Sequence, residues 1–450
     1  MIHHLSLENF KGWRSLDALT LAPLTGLFGT NSSGKSSIIQ SLLLMKQTTA
    51  SADRRAVFNV GGKHDPVQFG SIQAFARRGA APGALRLGLE WGLPDTLTIP
   101  NPVAPDQVLM ETNVMNFCVD LDPGDGNGTI AVEEMQYQLA GQNFSYRRSS
   151  EGYQFSADFD FKRSVGKRPP LPPPDKFYGF PDQVRAYYQN VGFLADLELE
   201  FERLFERLYY LGPLRGYPQR LYEWTGSGVE DVGYRGEKTV EAILSARKRG
   251  MTISRGPGRG RKAESLEQRV AHWLKEWGLV HNFSVEEVKA GTNLYEVLVQ
   301  SRPQAESVLL PDVGFGVSQL LPVIVLCYFV PEGSIVLLEQ PEIHLHPSVQ
   351  SGLADLFLEV TRTRGIQLII ESHSEHLLTR LQRRLAENED IPEGHVALHF
   401  CKLGSDGEST HEALRLDQYG NIQNWPENFF GDTFADRAAQ TKAVLDRRGL

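Results

Sequence analysis

Cysteine is nearly missing from this chain: three residues in 450, Cys118, Cys327 and Cys401, none at paired spacing. That argues against a disulfide framework and against a thiolate zinc site, so a reducing cytoplasm is the expected home. Long apolar runs are missing too. The longest, LLPVIVLCYFV at 320–330, falls far short of the roughly 20 residues a membrane span needs. No basic-then-apolar leader opens the sequence, so neither export nor membrane anchoring is expected. The formal net charge is −9, which leaves no overall positive field to draw a polyanion; any nucleic-acid contact must come from a local basic patch. Heptads are nowhere sustained long enough for a long coiled-coil arm, and no repeat recurs at a period of about 20–50 residues. What remains, with 41% hydrophobic residues, is a globular chain able to bury one large core or two to three smaller ones.

Against these absences one short loop stands out. Two apolar strand-like stretches, Leu5 to Phe10 and Leu24 to Phe28, lead into Gly29-Thr-Asn-Ser-Ser-Gly34-Lys35-Ser36, which fits G-x-x-x-x-G-K-[ST] at every fixed position. A helical stripe follows at Ile38, Ile39, Leu42, Leu43 and Met45. A glycine-bounded loop between a strand and a helix N-terminus wraps phosphates with backbone N–H groups, aided by the positive end of the helix dipole. The expected cradle is Gly29, Asn31, Ser32, Ser33, Gly34, Lys35, Ser36 and Ser37. Lys35 would reach the β- and γ-phosphates and Ser36 would offer its hydroxyl to Mg2+.

Three further segments carry chemistry. SIVLLEQPE has a continuous apolar run, Ile335 to Leu338, ending in Glu339. Such a run suits a strand buried on both faces of a parallel sheet, and its C-terminal end is where such sheets bind ligands. Glu339 is therefore the expected magnesium-side acid, acting directly or through a coordinated water. GIQLIIESHSEHLL places His373 just past another strand, where it would donate to a γ-phosphate. DVGFGVSQLLP puts Gly314, Gly316 and Ser318 at the opening of an apolar helix about twenty residues before Glu339, where small residues expose backbone donors.

In this order the elements resemble the ABC-type ATPases of the SMC, RecF and OLD group. LENFKGW is similar to their opening strand, GTNSSGKSS to their Walker A, VGFGVSQLLP to their signature helix, LLEQPEIHLHP to their Walker B and D-loop, and IIESHSEHLL to their switch histidine. YLGPLRGYPQRLYEW, DVGYRGE and DQYGNIQNWPENFF bring the chain closest to a bacterial predicted-ATPase branch, some of whose relatives, such as the ATPase subunit of the Septu system, serve in anti-phage defence. The resemblance implies an α/β fold: a split ABC-type head, a mixed sheet flanked by helices, with an inserted β-rich and helical lobe and no long coiled coil. It implies ATP as the nucleotide; the residues themselves, with no guanine-specific N-K-x-D, do not tell adenine from guanine. It also implies a homodimer, or a higher oligomer, whose head-to-tail sites bring Gly316 and Ser318 of one copy onto the nucleotide of the other. OLD nucleases continue into a Toprim domain; NWPENFFGDTFADRAAQTKAVLDRRGL is too short for one, so a separate nuclease or effector subunit is expected.

The implied division is 1–95 for the Walker A half of the head, 96–180 for a β-rich insertion and connector, 181–289 for a helical lobe, and 290–450 for the second half of the head. Six prolines in RPPLPPPDKFYGFP, 168–181, favour an extended connector over packed structure. ARKRGMTISRGPGRGRK, 246–262, holds seven Lys/Arg and no acid. The tract from Arg247 to Lys262 is either a DNA-backbone contact or a solvated loop. His344 and His346 are too few for a metal and suggest a structural or interface role.

One departure from the family pattern bears on activity. The position after the magnesium-side acid, where the family carries a water-polarising glutamate, holds Gln340. An amide orients water but cannot take its proton, and general-base help is typically worth about 10²–10⁴ in rate. Glu342 is the candidate substitute. Both a slow ATPase and a non-hydrolysing ATP switch gating an effector follow from this.

Overall fold

The computed structural model describes residues 1–77, 85–124, 130–164, 166, 169–254, 263–387, 390–426, 429–430 and 433–448. Along the chain run β1 (Ile2–Phe10), β2 (Trp13–Thr20), β3 (Leu24–Gly29), α1 (Lys35–Thr49), β4 (Leu85–Pro100), β5 (Val108–Asp122), β6 (Ala131–Leu139), β7 (Gln142–Ser149) and β8 (Gly152–Ala157). Next come α2 (Asp182–Tyr187), α3 (Phe193–Glu206), β9 (Leu208–Leu211), β10 (Tyr222–Glu223), α4 (Thr239–Lys248), β11 (Thr252–Ile253), β12 (Glu264–Ser265), α5 (Leu266–Glu276), β13 (Asn282–Glu287), β14 (Leu294–Gln300) and β15 (Val308–Leu309). The rest is α6 (Phe315–Phe329), β16 (Ile335–Glu339), α7 (Pro347–Arg364), β17 (Gln367–Glu371), α8 (Glu375–Glu387), β18 (Val396–Leu403), β19 (Ser409–Leu414) and α9 (Thr433–Arg448). The fold is mixed α/β, and its longest helix among the described residues, α7, has 18 residues, too short for a coiled-coil arm.

Two large sheets organise it. One is antiparallel, in the order β2-β1-β4-β5-β6-β7-β8; the other runs β19-β18-β3-β17-β16-β9 and is parallel except for the β18–β19 pair. The parallel sheet lies between two cores, and its strands show why they read as unbroken apolar runs. On β16, Ile335 and Leu337 enter the core shared with the antiparallel sheet, α1 and α3; Val336 and Leu338 enter the core built with α4, α5, α6 and α7. Successive side chains of a strand face opposite ways, so only a run apolar at every position satisfies both layers. Each such side chain, fully buried, contributes roughly 1.5–3 kcal/mol of transfer free energy. Arg364 closes the end of α6 by donating to the Cys327 and Val330 carbonyls, both at 2.9 Å.

The two strands expected before the glycine loop and the helix expected after it form where the patterns point, as β1, β3 and α1. Strand pairing runs across the expected divisions. The boundary at 95 lies inside β4, which pairs with β1 on one side and β5 on the other, so strands of the expected insertion continue the sheet that β1 begins. The boundary at 289 lies in the turn joining β13 to β14, which pair with each other. Likewise β9, from the expected helical lobe, is an edge strand of the parallel sheet. The proline-rich segment is also not simply an extended connector. Phe177, Tyr178 and Phe180 at its end are buried, Phe177 stacks on Phe58 with centroids 4.7 Å apart, and Tyr178 Oη donates to Glu202 at 2.6 Å. Prolines keep the stretch out of helix and sheet ladder, while the aromatics after them supply burial.

His399 on β18 links the sheets: its Nε2 lies 2.8 Å from the Thr20 carbonyl oxygen. Burial pushes its pKa down to about 4, the Thr20 bond opposing and the neighbouring His411 adding to the shift. The unfolded chain therefore takes up a proton near pH 6.5 that the folded chain refuses until about 4. This contribution is present above 6.5 and is lost as pH falls towards 4, by on the order of 3 kcal/mol. Melting temperatures from pH 7 to 4 should fall less steeply in His399→Gln than in the parent; parallel curves would contradict the assignment.

Candidate functional site

β3 ends at Gly29 and α1 starts at Lys35, so the residues between them turn tightly at the C-terminal edge of the parallel sheet. Two glycines are required by that turn. Gly29 has φ +137°, and a Cβ there would lie 1.9 Å from the Cys401 carbonyl oxygen; Gly34 has φ +94°, and a Cβ would press on Ser409 Oγ at 2.6 Å and Trp13 Nε1 at 2.8 Å. Trp13 Nε1 donates to the Gly34 carbonyl at 3.0 Å, which ties the loop to β2. The N-terminus of α1 has no side-chain cap and no acidic residue in its first turn. Its first N–H groups and dipole are thus left to an outside acceptor.

Lys35 folds back over the loop. Its Nζ donates to the Gly29 carbonyl at 3.2 Å, the Thr30 carbonyl at 2.6 Å and Ser33 Oγ at 3.3 Å. Burial lowers its pKa, and the Glu371 charge opposes that shift. A phosphate reaching this ammonium would exchange for those carbonyls with little motion of the chain.

The acids sit on neighbouring strand ends. In the parallel register Glu339 of β16 is level with Glu371 of β17, which is level with Leu27 of β3. Ser36 Oγ donates to Glu371 Oε1 at 3.1 Å, and Tyr210 Oη of β9 donates to Glu339 Oε1 at 3.1 Å. Ser36 and Glu339, expected to meet at one cation, are thus each hydrogen-bonded to a different partner. Burial first, then the Glu371 charge, pushes the Glu339 pKa up to about 7. Burial also raises that of Glu371, against Ser36 and Lys35.

Glu342 is buried, and its Oε1 accepts the backbone N–H of His373 at 2.7 Å. This bond holds the segment that carries the histidine. Burial raises the Glu342 pKa; the charge of Arg215 opposes it. Arg215 is itself 9% exposed with no hydrogen-bond partner on its three nitrogens among the described residues, and burial lowers its pKa to about 10. The His373 pKa is lowered by burial and then by the Lys35 charge, so a neutral ring is favoured there. Gln340 has φ +44° and its backbone N–H is fixed on the Glu371 carbonyl at 2.8 Å.

A cleft of about 500 Å³ is lined by the loop from Asn31 to Ser37 and by Gln340, Glu371 and His373, with Lys11 and Gln40 at its wall; Glu339, Glu342, Tyr210 and Arg215 stand behind this lining. Its atoms fit a nucleotide phosphate with a divalent cation. Uncapped N–H groups and a lysine face one side; on the other, a serine hydroxyl adjoins the carboxylate of Glu371, whose Oε2 is buried without a partner. A larger cavity of about 720 Å³ opens at the far end of α1. Its cations are already engaged, Lys46 on the Phe205 carbonyl, Arg249 on the Val229 carbonyl and Arg364 on the end of α6, so the smaller cleft is the better candidate.

Gly316 and Ser318 do not line this cleft. Ser318 Oγ donates to the Phe315 carbonyl at 2.9 Å and borders a separate cavity of about 250 Å³ with Tyr217 and Gln219. His344 packs its ring near exposed Phe315 (6.3 Å between centroids), which also meets Tyr217 (5.7 Å), and His346 caps α7 through Ser348. Of the basic tract, 255–262 lies outside the described residues. Arg247 is paired with Glu267, Lys248 with the Gly226 carbonyl and Arg249 with the Val229 carbonyl. Glu371, Tyr210, Arg215 and Lys11 were not singled out from sequence. All four stand inside motif segments, but nothing in their spacing says which distant group each one meets.

The geometry is a glycine-bounded strand–loop–helix turn with uncapped N–H groups, facing buried carboxylates. Residues 235–379 match the family model described as "AAA domain, putative AbiEii toxin, Type IV TA system", and 391–440 match one described as a protein of unknown function (DUF3696). The first match spans the signature-like helix, β16 and His373, about a third of the chain. No curated protein matches the chain. Among solved structures it is similar to the SMC head domain from Thermotoga maritima (13% identity, TM-score 0.40, covering 92% of this chain and 99% of that one). It is also similar to an Smc head with an extended coiled coil bound to the C-terminal domain of ScpA, from Pyrococcus furiosus (11% identity, TM-score 0.45, 92% and 96%).

Proposed function

We propose that this ATPase domain binds ATP with Mg2+ in the cleft at Gly29 to Ser37 and hydrolyses it slowly, working as an ATP-dependent dimeric switch. The observation that carries the reading is the meeting, in one cleft, of the loop bearing Lys35 with the Glu371 carboxylate at the end of β17, level with Glu339 on the adjacent strand. In this reading Lys35 and the loop N–H groups bind the phosphates, Ser36 and Glu339 serve the cation, and His373 donates to the γ-phosphate. Bound Mg2+ supplies charge neutralisation of the transferring phosphoryl group; the protein supplies position. Gln340 orients the attacking water, and Glu342 either takes its proton or keeps His373 in place.

Dimerisation follows from what a single chain leaves undone. Gly316 and Ser318 lie away from the chain's own cleft, on the helix opening where exposed Phe315 meets exposed Tyr217. Two-fold pairing would bring them to the partner's nucleotide and give two sites per dimer. A DNA-related role, anti-phage defence with a separate nuclease, is the finer part of the proposal and rests on the resemblance of the motifs. The cytoplasm is the proposed compartment.

A second reading is favoured by Gln340 itself, which lines the cleft without a carboxylate: an ATP-bound scaffold that gates an effector without meaningful turnover. Single-turnover phosphate release against nucleotide exchange separates the two. Release faster than exchange is expected for the slow ATPase, and exchange with no release would leave the pure switch. A chain that binds no ATP at all would sink both.

A further inference from the structure

The fold delivers to the cleft a carboxylate that the motif pattern passes over. Glu371 ends β17, the strand between the one that carries the glycine loop and the one that carries Glu339. Its Oε1 accepts a hydrogen bond from the Ser36 hydroxyl at 3.1 Å across 335 positions of sequence. The residue is 3% exposed, lines the cleft, and its Oε2 has no partner. An ionised carboxylate oxygen buried without a donor is unfavourable unless a cation completes it. The nearest cation, Lys35, spends its hydrogen bonds on Gly29, Thr30 and Ser33. Glu339 is placed differently: its Oε1 is held by Tyr210 on the far side, and it does not line the cleft.

From this geometry we infer that Glu371, paired with Ser36, is the principal magnesium-side carboxylate of the nucleotide site, and that Glu339 stands behind it as the second acid. The inference rests on the nucleotide reading above and changes which strand serves the cation. Magnesium takes oxygen ligands, keeps several waters, and commonly uses one or two carboxylates beside the substrate phosphates. A serine hydroxyl with a buried carboxylate 3.1 Å away, level with a second carboxylate on the next strand, meets that need. It also gives Gln340 a physical reason. A third carboxylate at strand ends already holding Glu339 and Glu371 would add like charge in a buried place, which disfavours ionisation of all three. An uncharged amide at 340 avoids that third charge.

The test measures the binding of a fluorescent ATP analogue to the full chain with and without Mg2+, and nucleotide-dependent Mn2+ binding by paramagnetic resonance. Glu371→Gln keeps the shape and can still accept from Ser36 but removes the charge. It is expected to cut the metal-dependent gain in nucleotide affinity by about 10–100-fold, the usual cost of losing a group that supports a metal site. Nucleotide-dependent Mn2+ binding should be lost with it. Metal-free nucleotide binding should be unchanged or tighter, since a negative charge has left the cleft. Glu339→Gln is expected to produce a smaller loss of the metal response. The inference is overturned if Glu371→Gln keeps the parent's metal response while Glu339→Gln loses it, or if Glu371→Gln, at the parent's melting temperature, loses metal-free binding as well. Failure of the parent chain to bind nucleotide would be a different result, one that removes the functional reading itself.

Discussion

Replacing Lys35 by alanine is expected to abolish measurable ATP binding and turnover. The side chain is buried at the mouth of the loop and has three donors. Removing one partner of a buried charged pair costs about 2–5 kcal/mol, a roughly 30- to several-thousand-fold loss in affinity. The same contacts make the variant informative about folding. Lys35 braces its own loop through the Gly29 and Thr30 carbonyls, so a modest drop in melting temperature should accompany the loss. Lys35→Arg should not rescue binding, because a planar fork does not reproduce a compact ammonium aimed at loop oxygens and phosphate alike. Titration calorimetry with ATP and Mg2+ is the measurement; near-parent affinity in a folded Lys35→Ala would refute the site.

The second large effect is a gain. Gln340→Glu should raise kcat for ATP hydrolysis by about 10²–10⁴-fold, the range that a positioned general base supplies. Gln340 lines the cleft, and its backbone is pinned in the left-handed region by the bond from its N–H to the Glu371 carbonyl. Glutamate is nearly isosteric, so the carboxylate would replace the amide without moving the strand end. Acting against it are the nearby charges of Glu339 and Glu371, which would raise the new group's pKa and confine the gain towards higher pH. Single-turnover phosphate release from pH 6 to 9 reads both effects. An unchanged rate throughout would mean that proton removal does not limit the proposed hydrolysis, and would move attention to closure of the proposed dimer.

How far the site could be read in advance depends on the range of the interaction concerned. The glycine loop, its lysine and serine, and the helical stripe behind them are neighbours in the chain, and the structure has them as one strand–loop–helix unit. Glu339 and His373 were legible as polar residues at the ends of apolar runs, because a strand covered on both faces must be apolar throughout and can turn polar only at its exit. Glu371 ends just such a run, yet its neighbour His373 drew the reading, since a histidine has an obvious task and a carboxylate there does not. Gly316 and Ser318 were legible as a helix opening but not as lying away from the cleft of their own chain.

By itself the amino-acid order determined the local pieces: where the chain must turn left-handed, which runs need two apolar layers, and which loop offers donors to an anion. Those follow from steric and hydrogen-bonding rules acting within a few residues. Only the tertiary structure decided that Ser36 meets Glu371 while Glu339 meets Tyr210, that the expected insertion continues the sheet begun by β1, and that aromatics after the prolines enter the core. The reason is register and packing: pairing β17 between β3 and β16 fixes which carboxylate reaches which hydroxyl. No local rule carries the information that selects that pairing over another.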